Sequence, residues 1–251
     1  MATLPRPVPF GNSLLDSLTG SARELIGKSC GPAQMKPGEI LCEPADRIQR
    51  VYFPTTAYIS LIAPALGTES LEVGMVGNEG MFGITVLLDV KTSPLTGLVQ
   101  GGGQALQMSA SRFARLASVV APFKKVISRY LYVLTAQLAQ TAACNRFHPL
   151  DGRLARWLLM TRDRAQSDTF RLTHKSLASM LGVRRAGVTE AAGRLQVRKL
   201  IRYHHGELTV LDRHGLEESA CSCYVAHNAV YEEHLGKPRV ASIQPTTHRV
   251  F

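Results

Sequence analysis

The chain lacks an apolar run long enough to span a membrane. Its longest apolar stretches, at 130–134 and 154–160, are short or carry arginine, whereas a helix needs roughly 20 apolar residues to cross a bilayer. Residues 1–10 hold Pro5, Pro7 and Pro9 but no apolar segment of the kind that drives secretion. They read as a loose arm, and a cytoplasmic setting is expected. Cysteine is sparse. Cys30, Cys42, Cys144, Cys221 and Cys223 are odd in number and irregular in spacing, which speaks against a disulfide framework. Cys221-Ser222-Cys223 is the one close pair, and two thiols without a second pair nearby are a weak metal set. Reduced, spare thiols are expected, with no metal and no cofactor. Segment 36–108 contains no histidine, so the clustered His/Glu ligands of a metalloenzyme are missing. No catalytic residue is expected.

What the chain does have is length and positive charge. Its 251 residues, 45% of them hydrophobic, suffice for two modest domains with real cores. The net charge is +10, and it is unevenly placed. Segment 153–202 holds 12 Lys/Arg against 3 Asp/Glu. A basic field on a patterned segment points to a polyanionic partner.

The first third reads as short strands. Segment 52–62 is rich in β-branched and aromatic residues, and 69–76 and 104–108 alternate. Glycine and proline punctuate the region, including Gly67, which suggests an antiparallel roll or barrel. A short helix at 13–18 precedes it. The character then changes, with a helix at 110–118 and a second, long helix over 123–145 that contains no glycine or proline. Pro122 fits its first turn. Ile127, Leu131, Leu134, Leu138 and Thr141 recur at a heptad-like spacing of 4, 3, 4, 3, which predicts the seam of a two-stranded dimer. A core helix of one subunit gives the same pattern.

The most informative stretch is 172–211. Thr173 suits a helix N-cap, Leu177, Ala178 and Leu181 share one face, and Gly182 stands where the chain needs a positive φ. A second helix follows over 185–198, with Val188, Ala191 or Ala192, and Leu195 facing inward. Alternating residues around His204-His205-Gly206 then predict a β-hairpin. This is a helix-turn-helix followed at once by a wing. A helix fits the major groove of DNA and offers its leading residues to base edges. Arg184, Arg185, Thr189, Glu190 and Arg194 fall on the outward face of the second helix. Thr173, His174, Lys175 and Ser176 lead the first helix and suit phosphates. His204 on the wing is a further backbone candidate.

Several motifs carry a family resemblance. They are Lys36-Pro37-Gly38-Glu39-Ile40-Leu41, Val51-Tyr52-Phe53-Pro54, Gly77-Asn78-Glu79-Gly80-Met81-Phe82-Gly83, Gly152-Arg153-Leu154-Ala155-Arg156-Trp157-Leu158-Leu159, and the run from Leu172 to Val183. Together the sequence resembles the cyclic-AMP receptor protein / fumarate-nitrate regulator (Crp/Fnr) family over about residues 12–211. The resemblance implies an α+β protein: an N-terminal antiparallel, cyclic-nucleotide-binding-like β-roll at 12–121, a dimerisation helix at 122–146, and a winged helix-turn-helix at 147–220. A C-terminal tail fills 221–251. It further implies a homodimeric transcription regulator on a near-palindromic site in double-stranded DNA, with RNA polymerase as a partner. Gly77, Glu79, Gly80, Phe82 and Gly83 fall where the family's effector cassette begins. Ile84 replaces the family's glutamate after Gly83, and 89–98 has no arginine to hold a phosphate. The signal is therefore expected not to be cyclic AMP bound in the usual way. A ligand-independent regulator with a degenerate roll, and a small-molecule module whose winged helix serves protein contacts, are the alternative readings.

Overall fold

A computed structural model describes residues 8–64 and 70–236. The arm at 1–7, Gly67, Glu69 and the tail segment 237–251 lie outside the described residues. Two short helices lead in, α1 (Ser13–Asp16) and α2 (Gly20–Ser29). The buried Asn12 caps α1 and donates from its amide to Pro54 O and Gly80 O, both at 2.9 Å. Seven strands follow: β1 (Gly31–Met35), β2 (Ile40–Cys42), β3 (Arg50–Pro54), β4 (Tyr58–Pro64), β5 (Ser70–Val76), β6 (Thr96–Gly101) and β7 (Gly103–Ser109). They make two antiparallel sheets, β1-β7-β3 and β2-β6-β4-β5, so the expected roll is present.

The apolar run at 52–62 falls in two strands, β3 and β4. The chain turns at 55–57, where the N–H groups of Thr55, Thr56 and Ala57 all converge on Gln104 O. β1 and β6 were not expected, because Gly31-Pro32 and the glycines of β6 interrupt alternation. Val51, Phe53, Ile59, Val76 and Val99 are fully buried between the sheets and the helices that follow.

Those helices are α3 (Ala110–Val119), capped by Ser109, and α4 (Ala121–Phe147). Phe113 and Phe123 meet edge to face, 5.6 Å between centroids, and close the roll. The 27 residues of α4 span roughly 40 Å. The predicted seam is largely occupied within the subunit. Ile127, Leu134 and Thr141 are 0%, 6% and 6% exposed, and Leu131 and Leu138 are half-buried, packed on the roll's core. Ile127, Leu131, Leu134 and Leu138 thus pack on the roll of their own subunit, and Leu131 and Leu138 keep part of their surface open to a partner. The outward face of α4 instead carries Ser128, Tyr132, Thr135, Ala139 and Ala142.

After the His148-Pro149 break comes α5 (Leu150–Ala165), then β8 (Thr169–Arg171), α6 (His174–Leu181) and α7 (Arg185–Val197). β9 (Ile201–His204) and β10 (Glu207–Val210) complete a three-stranded antiparallel sheet in the order β8-β10-β9. Its core holds Leu154, Trp157, Leu158, Leu177, Val188, Leu195 and Leu208. The C-terminal segment also departs from expectation. α8 (Arg213–Ser219) leads into α9 (Cys223–Leu235), a helix lying along α4 rather than a free tail. Its Tyr231 hydroxyl donates to Glu79 O at 2.8 Å, and His234 meets the Tyr132 ring at 4.7 Å. Among the described residues no helix is long and apolar enough to cross a membrane.

Candidate nucleic-acid interface

The Thr173 hydroxyl accepts from Ser176 N at 3.0 Å and caps α6, as its residue type favours. Gly182 ends α6 at φ +63°, a conformation open mainly to glycine. Val188, Ala191, Ala192 and Leu195 are all buried, so α7 seats one face on the domain core and leaves the other outside. His205 and Gly206 take φ +47° and +78°. These are the two positive values that a two-residue hairpin turn between twisted strands requires.

Arg184 is the N-cap of α7 and Arg185 its first residue, and both side chains are exposed. Ala186, Thr189 and Glu190 share that outer face. A groove of about 550 Å³ opens between the start of α6, the start of α7 and the wing, lined by Thr173, His174, Lys175, Arg185, Tyr203 and His205. Lys175 and Arg185 put two cations at its rim, beside a helix N-terminus that favours anions. Arg171, Arg198, Lys199 and Arg202 are exposed on the same domain. The basic surplus is smaller at the surface than its count suggests, because Arg153, Arg156 and Arg164 are buried.

Two predicted contacts have other work. Arg194 makes a bidentate pair with Asp151 at 2.7 and 2.6 Å, holding the Asp151 carboxyl below the usual range. It braces α7 on α5 while 55% of its side chain stays exposed. His174 is likewise bound into the domain. Its ring stacks on Tyr203 at 4.3 Å, and Nδ1 lies 3.0 Å from Thr189 Oγ1. That hydroxyl donates to Arg185 O, so Nδ1 carries the proton. Burial, and then Arg185, lower the His174 pKa. With Nε2 buried, the neutral ring positions Thr189 and the start of α7. Thr173 and Ser176 are occupied with each other as cap partners, 2.8 Å between hydroxyls. Arg184, Arg185, Lys175, Thr173, Thr189, Glu190, Arg194 and His204 are exposed.

The cassette residues form a packing node. Phe82 is buried, and its ring fills the place a side chain at Gly97 would take. Gly83 takes φ +92° at the entry to a 3₁₀ turn over Ile84–Leu88. A Cβ on Gly80 would collide with the Tyr130 hydroxyl, and one on Gly77 would lie 2.6 Å from Arg164 Cγ. Glu79 accepts from Gly77 N at 3.2 Å and pairs with Arg164 at 2.7 Å. It also lines a cavity of about 290 Å³ with Arg164, Arg213, His227 and Tyr231. Gly80→Ala is expected to destabilise the protein by roughly 1–3 kcal/mol through overpacking, measured as a lower urea midpoint. An unchanged midpoint would show that Tyr130 moves aside freely.

The roll and the helix-turn-helix are in direct contact. Glu72 of β5 accepts from Trp157 Nε1 at 2.7 Å and from the Ser60 hydroxyl at 2.6 Å. Leu71 lies over Gly182, where a Cβ would be 2.8 Å from its Cδ1. Sequence reading missed this junction, and it missed the meeting of Cys144, His148, Cys221 and Cys223. Their ligand atoms all lie within 4.8 Å of one another, against the expectation of separate thiols. The Cys144/His148 spacing, one helical turn, was the available signal.

The elements define a β-roll joined through a long helix to a winged helix-turn-helix. Residues 152–219 match the Crp-like helix-turn-helix domain family, so that segment carries a Crp-like helix-turn-helix domain. A Crp/Fnr-family regulator structure from Eubacterium rectale shares 16% identity, with TM-score 0.61, over 82% of this chain and 96% of that one. A CRP-family regulator from Thermus thermophilus gives TM-score 0.63 at 16% identity, covering 75% and 96%. The c-di-GMP responsive global regulator CLP of Xanthomonas campestris gives 0.60 at 16%, covering 75% and 97%. At such identities these likenesses speak to the fold. No curated protein sequence matches the chain.

Proposed function

We propose that the protein is a sequence-specific, homodimeric transcription regulator that reads DNA with the leading end of α7. The carrying observation is that Arg184 and Arg185 stand exposed at that end, beside the Lys175-rimmed groove and the wing. Arg185 is placed to bond guanine O6 and N7, and Lys175 and His204 to take phosphates. Twofold pairing puts two α7 helices about 34 Å apart on a near-palindromic site. The outward face of α4, through Tyr132, Thr135, Ala139 and Ala142, is the surface left for that pairing. RNA polymerase is the natural partner of a regulator so placed, and the cytoplasm its setting.

The roll acts on the reader through the Glu72–Trp157, Glu79–Arg164 and Leu71–Gly182 contacts. A signal that favours one arrangement of these contacts shifts the population competent for DNA. Filling of the glycine cradle by Tyr130 and Phe82 supports a signal other than cyclic AMP in the usual position.

The test is selection of binding sites from random duplexes, followed by affinity against salt. A palindrome should be enriched, and log affinity should fall against log salt with slope about −0.9 per phosphate contacted. Arg185→Ala is expected to cost roughly 1–3 kcal/mol and relax one base pair in each half-site, while Lys175→Ala lowers the salt slope by about 1. No enrichment, together with salt-insensitive binding to a protein partner, would favour a protein-contact module.

A further inference from the structure

We propose that Cys144, His148, Cys221 and Cys223 form a tetrahedral site for a zinc ion, clamping the DNA-binding domain and α9 to the end of the long helix. Cys144 lies in the last turn of α4 and His148 is its C-cap, its N–H donating to Cys144 O at 3.1 Å. Cys221 and Cys223 lie at the corner between α8 and α9. Cys144 Sγ and Cys221 Sγ are 3.4 Å apart, and Cys223 Sγ and His148 Nδ1 are 3.3 Å apart. All four donor atoms fall within 4.8 Å of one another. Ligands at the usual zinc–sulfur and zinc–nitrogen lengths stand about 3.5–3.8 Å from each other around a tetrahedron. The two ends of the site are thus already at coordinating separations.

The donor chemistry selects the ion. Three sulfurs and one imidazole suit zinc, while calcium and magnesium require oxygen. Three thiolates and a neutral imidazole around a dication leave one negative charge. The surroundings answer it. Arg156 is 5% exposed, its Nε has no hydrogen-bond partner, and its charge acts on both Cys144 and Cys221. Gln140 Nε2 donates to Cys223 Sγ at 2.9 Å, the kind of amide contact that orients a metal-bound thiolate. Cys221 N also donates to Gly152 O at 3.2 Å, so the corner rests on α5 as well. One ion would therefore fix three parts at the His148-Pro149 joint: the end of α4, the start of the DNA-binding domain and the start of α9. The site stands on its own geometry and does not require the DNA-reading proposal.

The experiment uses the full chain, reduced and metal-stripped, titrated with cobalt(II) as a spectroscopic stand-in for zinc. One equivalent should bind with the intense visible bands of a tetrahedral thiolate site, and zinc should displace it. Cys221→Ser and Cys223→Ser should each weaken binding more than tenfold, a loss already reached when groups outside a ligand set are changed. Cys30→Ser should bind as the parent does. His148→Cys should retain cobalt with an all-sulfur spectrum, so that a lost signal is separable from a misfolded chain. Three results would overturn the site: no uptake by the folded, reduced protein; uptake unchanged by Cys221→Ser and Cys223→Ser; or a Cys144–Cys221 disulfide in anaerobically prepared protein that takes up no metal.

Discussion

Replacing Arg164 with methionine is expected to cost roughly 3–5 kcal/mol of stability, the range for removing one partner of a buried ion pair. Arg164 and Glu79 pair at 2.7 Å with side chains 6% and 12% exposed. The guanidinium also donates to Met160 O at 3.1 Å and lies 3.4 Å from His227 Nε2. Without it, Glu79 keeps the Gly77 N–H but stays out of water with its charge uncompensated. The pair joins α5 to the cassette, so the loss falls on the junction of roll and DNA-binding domain. Glu79→Gln combined with Arg164→Met should recover most of the loss, because two neutral groups leave no buried charge. Urea unfolding of the four proteins measures this. A single-variant loss under about 1 kcal/mol would mean the pair behaves as a solvent-exposed one.

The second large effect is a pH dependence centred on Glu72. Burial raises its pKa to about 7, opposed by hydrogen bonds from Ser60 and Trp157 and by the charges of Arg164 and Arg156. Its ordinary value lies near 4.3, so between these limits the folded state holds a proton that the unfolded chain has released. Stability therefore falls as pH rises from about 4.5 to 7, and the full penalty is present above 7. The total is on the order of 3 kcal/mol. Glu72→Gln keeps an acceptor for Trp157 and a donor for Ser60 but does not titrate. The difference in unfolding free energy between parent and variant should grow across this window and then stay level, with the variant more stable at pH 8. Trp157 is the only tryptophan, so its emission should titrate near pH 7 in the parent and not in the variant. Curves that run parallel from pH 5 to 8 would contradict this account of Glu72.

Local grammar made the DNA-binding half legible. Thr173 as cap, Gly182 at positive φ and the His205-Gly206 turn each act over a few residues, so their meaning survives without knowledge of the rest. The span of α4 was legible for the same reason. Its facing was not: Ile127 and Leu134 repeat at a spacing that suits a partner helix or an adjoining sheet equally, and only packing decides. α9 was hidden because His227 and Tyr231 are buried by contacts with Arg164 and Glu79, far away in sequence. The thiol cluster joins residues separated by 77 positions. The acid that Arg194 meets and the ring that His174 meets were not legible, since both are set by how α5, α6, α7 and the wing come together.

If the start of α7 enters the major groove as proposed, dimethyl sulfate protection of guanine N7 will report it. On a selected operator, the parent should protect guanines in two successive major grooves on one face of the duplex. Arg185→Ala, at a concentration giving equal occupancy, should lose protection at the guanine in each half-site. Guanines that stay reactive under the saturating parent protein, or protection that Arg185→Ala leaves intact, would contradict it.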